Sequence, residues 1–389
     1  MSAANGRAPA SEPRSYHGQP VIKEPIWKPE IPWYLFLGGL GGASAGLAWL
    51  SELRGNDVLA RRAWTGALIG TGLSPALLIS DLGRPERFLY MLRMFKVTSP
   101  MSVGSWVLFV FGGASSAAGL DALLPGSAGP RRSRGRVLTT GFAGGAPPGA
   151  RTPGLRPGHV RRHRHPPDRR RRFSGLLGRR SDSPSRGRRL LRLAARPARP
   201  AAALAGLPLA TYTGALLAQT AVPVWHEARR ELPALFAAGA AASAGAYATV
   251  LTPVEHAAAA RRLALVGCAA ELAVIPLMEH RLGELAEPYH QEAAAAYAQL
   301  ARGLTVAGSL LLATRAGRSQ PAAVAGGAMV LAGAACERWS VFKAGFQSAR
   351  DPRYTVGPQR RRVDGGLTRG GSRRVVAAVG RAVGRSGSA

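Results

Sequence analysis

Five long stretches of the chain carry no charged side chain: 31–50, 63–80, 101–120, 200–225 and 232–254. A helix rises about 1.5 Å per residue and the hydrocarbon core of a bilayer is about 30 Å thick, so roughly 20 such residues suffice to cross it. Three further apolar stretches are less clean. Residues 263–278 hold Glu271 near their centre, 293–314 carry Arg302, and 321–336 are short, with Trp339 and Phe342 beyond them to meet the interface. The pattern predicts an all-α integral membrane protein, a bundle of about eight transmembrane helices.

Small residues recur at every fourth position in two of these stretches. Gly38, Gly42 and Gly46 stripe the first, and Gly66, Gly70 and Ser74 the second. Small side chains let helix backbones approach closely in lipid, where van der Waals packing drives association. These two helices are therefore expected to pack on each other.

Charge sits between the apolar stretches. The formal charge is +31, and residues 129–200 alone hold 21 Arg and ten Pro against two acids, Asp168 and Asp182. That segment has no Lys, Ile, Met, Trp, Tyr, Cys, Asn, Gln or Glu, so it cannot bury a core. Its composition is that of a disordered basic loop, or of GC-rich DNA translated out of frame. It lacks the interleaved aromatics on which bases stack, so nucleic acid is not expected as a partner. The chain thus divides into a polar N-terminal segment (1–30), helices one to three (31–125), the Arg/Pro-rich segment (126–199), helices four to eight (200–342) and a basic tail (343–389). Within the tail, 373–385 has the look of a basic amphipathic helix on anionic lipid, or of a solvated tail. With the Arg/Pro-rich segment left out, lysine and arginine on the side of the termini, the basic tail included, outnumber those on the other side, so both termini are expected in the cytoplasm.

Redox metals have no evident ligands. The two cysteines, Cys268 and Cys336, are far apart in apolar stretches, with no CxxC pattern. Neither an iron–sulfur cluster nor a zinc site is expected, and no metal-binding residue is assigned. His226, His256, His280 and His290 fall at or beyond predicted helix ends, so paired haem ligands inside the bundle are not expected either.

The loop after the second helix reads Asp81-Leu82-Gly83-Arg84-Pro85-Glu86-Arg87-Phe88, and then Ser99-Pro100-Met101-Ser102-Val103-Gly104-Ser105-Trp106. An acid at the end of an apolar run is costly unless paired, and Arg84 and Arg87 are near in sequence. Ser99 and Pro100 suit a helix start, as cap and first-turn residue.

With Trp33-Tyr34-Leu35-Phe36-Leu37-Gly38-Gly39 at the first helix, these motifs resemble the NrfD/polysulfide reductase membrane subunit family. Tyr212-Thr213-Gly214, Val222-Pro223-Val224-Trp225, Leu232-Pro233 with Phe236, and the closing run from Asp351 to Arg360 are also similar to it. The resemblance covers about residues 30–125 and 203–362, and departs from the family at 129–200. It implies a multi-pass subunit of the bacterial plasma membrane. Such a subunit anchors a ferredoxin-like iron–sulfur subunit and a molybdopterin catalytic subunit, and exchanges electrons with menaquinone or ubiquinone as substrate.

Quinol oxidation releases two protons, so a site needs an acceptor and hydrogen-bond partners for the quinol oxygens. Asp81 is the first candidate acceptor; the alternative is a structural ion pair with Arg84 or Arg87. Trp33, Tyr34 and Arg84 are candidates to line the quinone, although Trp33 and Tyr34 equally suit the aromatic belt of an interface. Glu271 belongs to a proton path or hydrogen-bonds a neighbouring helix. Two other readings of function remain: a purely structural anchor, and a secondary ion transporter using Glu271.

Overall fold

The computed structural model of the protein describes residues 21–81, 84, 86–124 and 186–359. The divisions expected at 1–20, at 126–185 and beyond 359 fall outside these residues. Two compact units divide the chain, one of 1–129 with 191–389 and one of 130–190, of which only the last five residues are described.

Among the described residues there is no strand. The α-helices are α1 (Glu30–Leu53), α2 (Asp57–Asp81), α3 (Arg87–Met91), α4 (Pro100–Leu123), α5 (Arg186–Ala218), α6 (Pro223–Glu227), α7 (Leu232–Leu251), α8 (Ala258–Leu282), α9 (Glu292–Thr314) and α10 (Gln320–Arg350), with a 3-10 helix at Gly283–His290 before α9. Five of them, α2, α4, α5, α7 and α8, are long and apolar enough to cross a membrane. Eight was the sequence expectation; five is the number that length and composition support. The protein is a multi-pass membrane protein, all-helical over the described residues.

Helix starts follow local chemistry. Ser99 caps α4 by accepting from the Ser102 backbone N–H at 3.4 Å, with Pro100 at the first position. Ser319 does the same for α10 through Ala322 N–H at 3.4 Å. At the other end of α8, Gly283 takes φ +56, a left-handed conformation that a Cβ disfavours, and turns the chain into the 3-10 helix.

α1 and α2 pack together as expected, on a contact one residue off the predicted stripe. A Cβ added to Gly41 would stand 2.8 Å from Gly70 Cα, and one added to Gly66 would stand 2.6 Å from Ser44 Oγ. Gly38 does face Ser74, 3.7 Å from its hydroxyl, but Gly42 faces Gly206 of α5 and Gly46 meets nothing. A period of four residues drifts around a helix of 3.6 residues per turn, so one four-spaced stripe cannot stay on one neighbour.

Two helices, α5 and α10, run farthest beyond the apolar stretches that announced them. α5 begins at Arg186, not near Pro200. Its Arg199 pairs with Asp121 of α4 at 2.8 Å and with Glu52 of α1 at 3.5 Å, so its charge is held by acids on two neighbours. α10 does not stop at Cys336 but runs on to Arg350, carrying Glu337 and Arg338 into the interior.

Candidate functional site

Motifs far apart in sequence meet at one end of the bundle. Gly104 of α4 leaves the space that the Tyr212 ring of α5 fills, and the Tyr212 hydroxyl donates to Pro100 O at 2.6 Å. Gly214, two residues on, lies against the Leu232-Pro233 start of α7; its Cβ would stand 2.6 Å from Leu232 O. Trp225 of α6 donates from its ring N–H to Val341 O of α10 at 2.8 Å, stacks on Trp27 at 5.5 Å and lies against Gly345.

Asp81 is the last residue of α2 and half-buried at this same end. Its Oδ1 accepts the backbone N–H of Lys28 at 3.0 Å, which ties the segment before α1 to the end of α2. Arg84 is exposed, and among the described residues no ion pair joins it to Asp81. The side chain of Arg87 lies outside the described residues. Asp81 therefore has a backbone partner 53 residues away in sequence, which no local spacing announces.

Trp33 and Tyr34 point in different directions, as successive residues on a helix must. Trp33 is 44 % exposed and meets Phe36 and Trp339 edge-on at 6.3 and 6.4 Å. Tyr34 is buried beside Tyr212. The two do not share one surface.

A second polar site lies inside the bundle of α7, α8 and α10. Glu271 of α8 and Glu337 and Arg338 of α10 are all buried, at 1, 3 and 2 % exposure. Arg338 pairs with Glu337 through Nη1, donates from Nη2 to Phe236 O at 3.1 Å, and lies 4.0 Å over the Phe236 ring. Gly239 makes the room. A Cβ there would stand 2.6 Å from Arg338 Nη2 and 2.9 Å from Glu271 Oε2, so both atoms crowd one point on α7. Glu271, which has no basic neighbour in sequence, thus gains one from α10. Sequence reading missed Glu337 and Arg338 because they follow the last purely apolar run; the signal was an acid–base dipeptide followed by Trp339 and Phe342.

Toward the rim, Glu279 pairs with Arg302 of α9 and lies 3.7 Å from His290 Nε2. Arg302, which weakened the expected α9 span, is neutralised in this way. A cavity of about 20 Å³ separates this group from Glu337, with Tyr289 and Ser340 also on its wall. A larger cavity of about 340 Å³ opens at the end of the bundle beside Thr220, His226, Glu227 and Tyr354. Tyr354 donates to Glu287 Oε2 at 3.1 Å, and burial pushes its phenol up to about 12. Among the described residues no group of three or more His, Cys, Asp or Glu is placed to hold a metal ion.

Residues 17–116 match the family model described as polysulphide reductase, NrfD. The match takes in α1, α2, α3 and most of α4, and with them Trp33, Tyr34, Asp81 and Arg84. Glu271, Glu337 and Arg338 lie outside it. No curated protein matches the chain.

Proposed function

We propose that this chain is the quinol-exchanging membrane subunit of a bacterial respiratory oxidoreductase complex in the plasma membrane. The observation that carries the reading is the family match over 17–116, because it covers the segment in which Asp81 ends α2. In this reading α1, α9 and α10, of 24, 23 and 31 residues, cross the membrane beside the five more apolar helices, giving eight spans. A ferredoxin-like iron–sulfur subunit and a molybdopterin subunit receive or supply the electrons, as the family match suggests.

The chemistry assigned to Asp81 is proton acceptance. A quinol that becomes quinone loses two electrons, which leave to the iron–sulfur partner, and two protons. One oxygen of Asp81 is engaged with the Lys28 N–H, and the other retains lone pairs for a quinol O–H. The exposed Arg84, three residues on, is assigned as the donor to the second quinol oxygen. Menaquinone and ubiquinone both fit this chemistry.

Asp81→Asn tests it. The amide keeps an oxygen for the Lys28 N–H and removes the basicity. Quinol-dependent reduction of an artificial acceptor is measured in membranes beside retention of the partner subunits. Loss of turnover in an assembled complex is expected. Full turnover would remove Asp81 from the mechanism, and an assembled wild-type complex with no quinol activity would leave the chain a structural anchor.

The transporter reading is supported by the burial of Glu271, but Arg338 beside it already supplies the counter-charge that a transported cation would have to replace.

A further inference from the structure

The interior of the α7–α10 bundle holds one more acid than base. Glu271 and Glu337 share Arg338, while Arg302 is matched to Glu279. The other groups beside these acids are neutral: Gly239 of α7, Cys268 of α8, and Tyr289 and Ser340 on the cavity wall. Uncompensated charge in the middle of a membrane is expensive, so the cluster is electroneutral only with one proton bound.

The same cluster carries unsatisfied valences. Glu271 Oε2, Glu337 Oε1 and the Tyr289 hydroxyl are buried without a hydrogen-bond partner among the described residues. Glu337 and Tyr289 both line the cavity of about 20 Å³, and Glu279 lies on its far wall. That volume is room for about one water, which needs some 10–15 Å³ and two or more polar partners. Beyond Glu279 stands His290, whose side chain is 54 % exposed.

The geometry points to a proton path from the middle of this bundle to the membrane face at which α8 ends, running from the Glu271–Arg338–Glu337 cluster through one water to Glu279 and His290. The carboxyl proton of Glu337 passes to the water as its O–H bond breaks, and the water gives one of its own protons to the Glu279 carboxylate. Glu279 hands it to the His290 imidazole and so to bulk. One proton crosses, no electron moves, and Arg338 remains charged throughout. Tyr289 holds the water in line. The opening lies at the same face as Asp81, because α2 and α8 both end there. The inference rests on the quinol reading only for where the protons come from.

Infrared spectroscopy of the purified full chain in lipid nanodiscs tests the path without quinol turnover, so its outcome is separate from that of Asp81→Asn. A carboxylic-acid C=O band that disappears in Glu271→Gln or Glu337→Gln is expected. On mixing with D2O that band should shift promptly in the wild type, and at least about tenfold more slowly in Glu279→Gln and Tyr289→Phe. The thermal midpoint of these last two variants identifies any loss of fold. Absence of such a band at every pH at which the chain stays folded would overturn the path, since acids that never hold a proton cannot pass one. Exchange unchanged in both folded rim variants would overturn it equally.

Discussion

Arg338 Cζ lies over the ring of Phe236, 4.0 Å from its centroid, and the guanidinium donates to that same residue's carbonyl oxygen at 3.1 Å. One residue of α7 therefore receives the guanidinium twice, through its π face and its backbone. The planar fork of arginine allows both contacts at once, and a lysine ammonium offers only a point charge.

Arg338→Met should leave Glu271 and Glu337 without a counter-charge and destabilise the bundle by about 3–5 kcal/mol. Arg338→Lys should recover part of that loss but not all. Thermal unfolding in detergent, followed by fluorescence, measures both. Equal melting of Arg338→Met and wild type would show that the cluster contributes nothing to the fold.

Gly70→Val should separate α1 from α2, because a Cβ at Gly70 already stands 2.6 Å from Gly41 Cα. The expected cost is about 1–3 kcal/mol. Gly46→Ala is the matched control. A Cβ at Gly46 meets nothing within 4 Å, and alanine is favoured over glycine in a helix by up to about 1 kcal/mol, so this change should be neutral or stabilising.

Gly104 and Tyr212 should behave as one unit. Gly104→Ala is expected to push out the Tyr212 ring and break its bond to Pro100 O, whereas adding Tyr212→Ala should remove the clash. A double-mutant cycle on thermal stability should then give a coupling of about 0.5–3 kcal/mol. Simple additivity would mean that the two residues are not in contact.

Arg199→Ala should strand Asp121, which is 5 % exposed and has Arg199 as its ion-pair partner. Arg199 itself is partly exposed, so a loss of about 2 kcal/mol is expected, between the surface and buried limits. Adding Asp121→Asn should return part of it. The melting temperatures of the two variants decide this.

The apolar runs determined by themselves that the chain is helical and enters a membrane, because a bilayer demands long uncharged segments whatever their neighbours are. The local sequence also placed the Ser99 cap and Pro100, since capping is settled within one turn. What the runs could not settle was any feature that depends on a partner. α5 and α10 extend past their uncharged stretches because their charges are met inside the bundle: Arg199 by acids of α1 and α4, and Arg338 by Glu337 of its own helix and Glu271 of α8, so a residue's burial is permitted by its partner, not by its own type. For the same reason Asp81 took the Lys28 backbone N–H as a partner, and Gly41 rather than Gly42 met α2, since the helical drift selects the contact only once two axes cross. The buried acid–base cluster was invisible to spacing, because its members lie on α8 and α10, 66 and 67 residues apart, and only the packing of those helices around Gly239 brings their charges together.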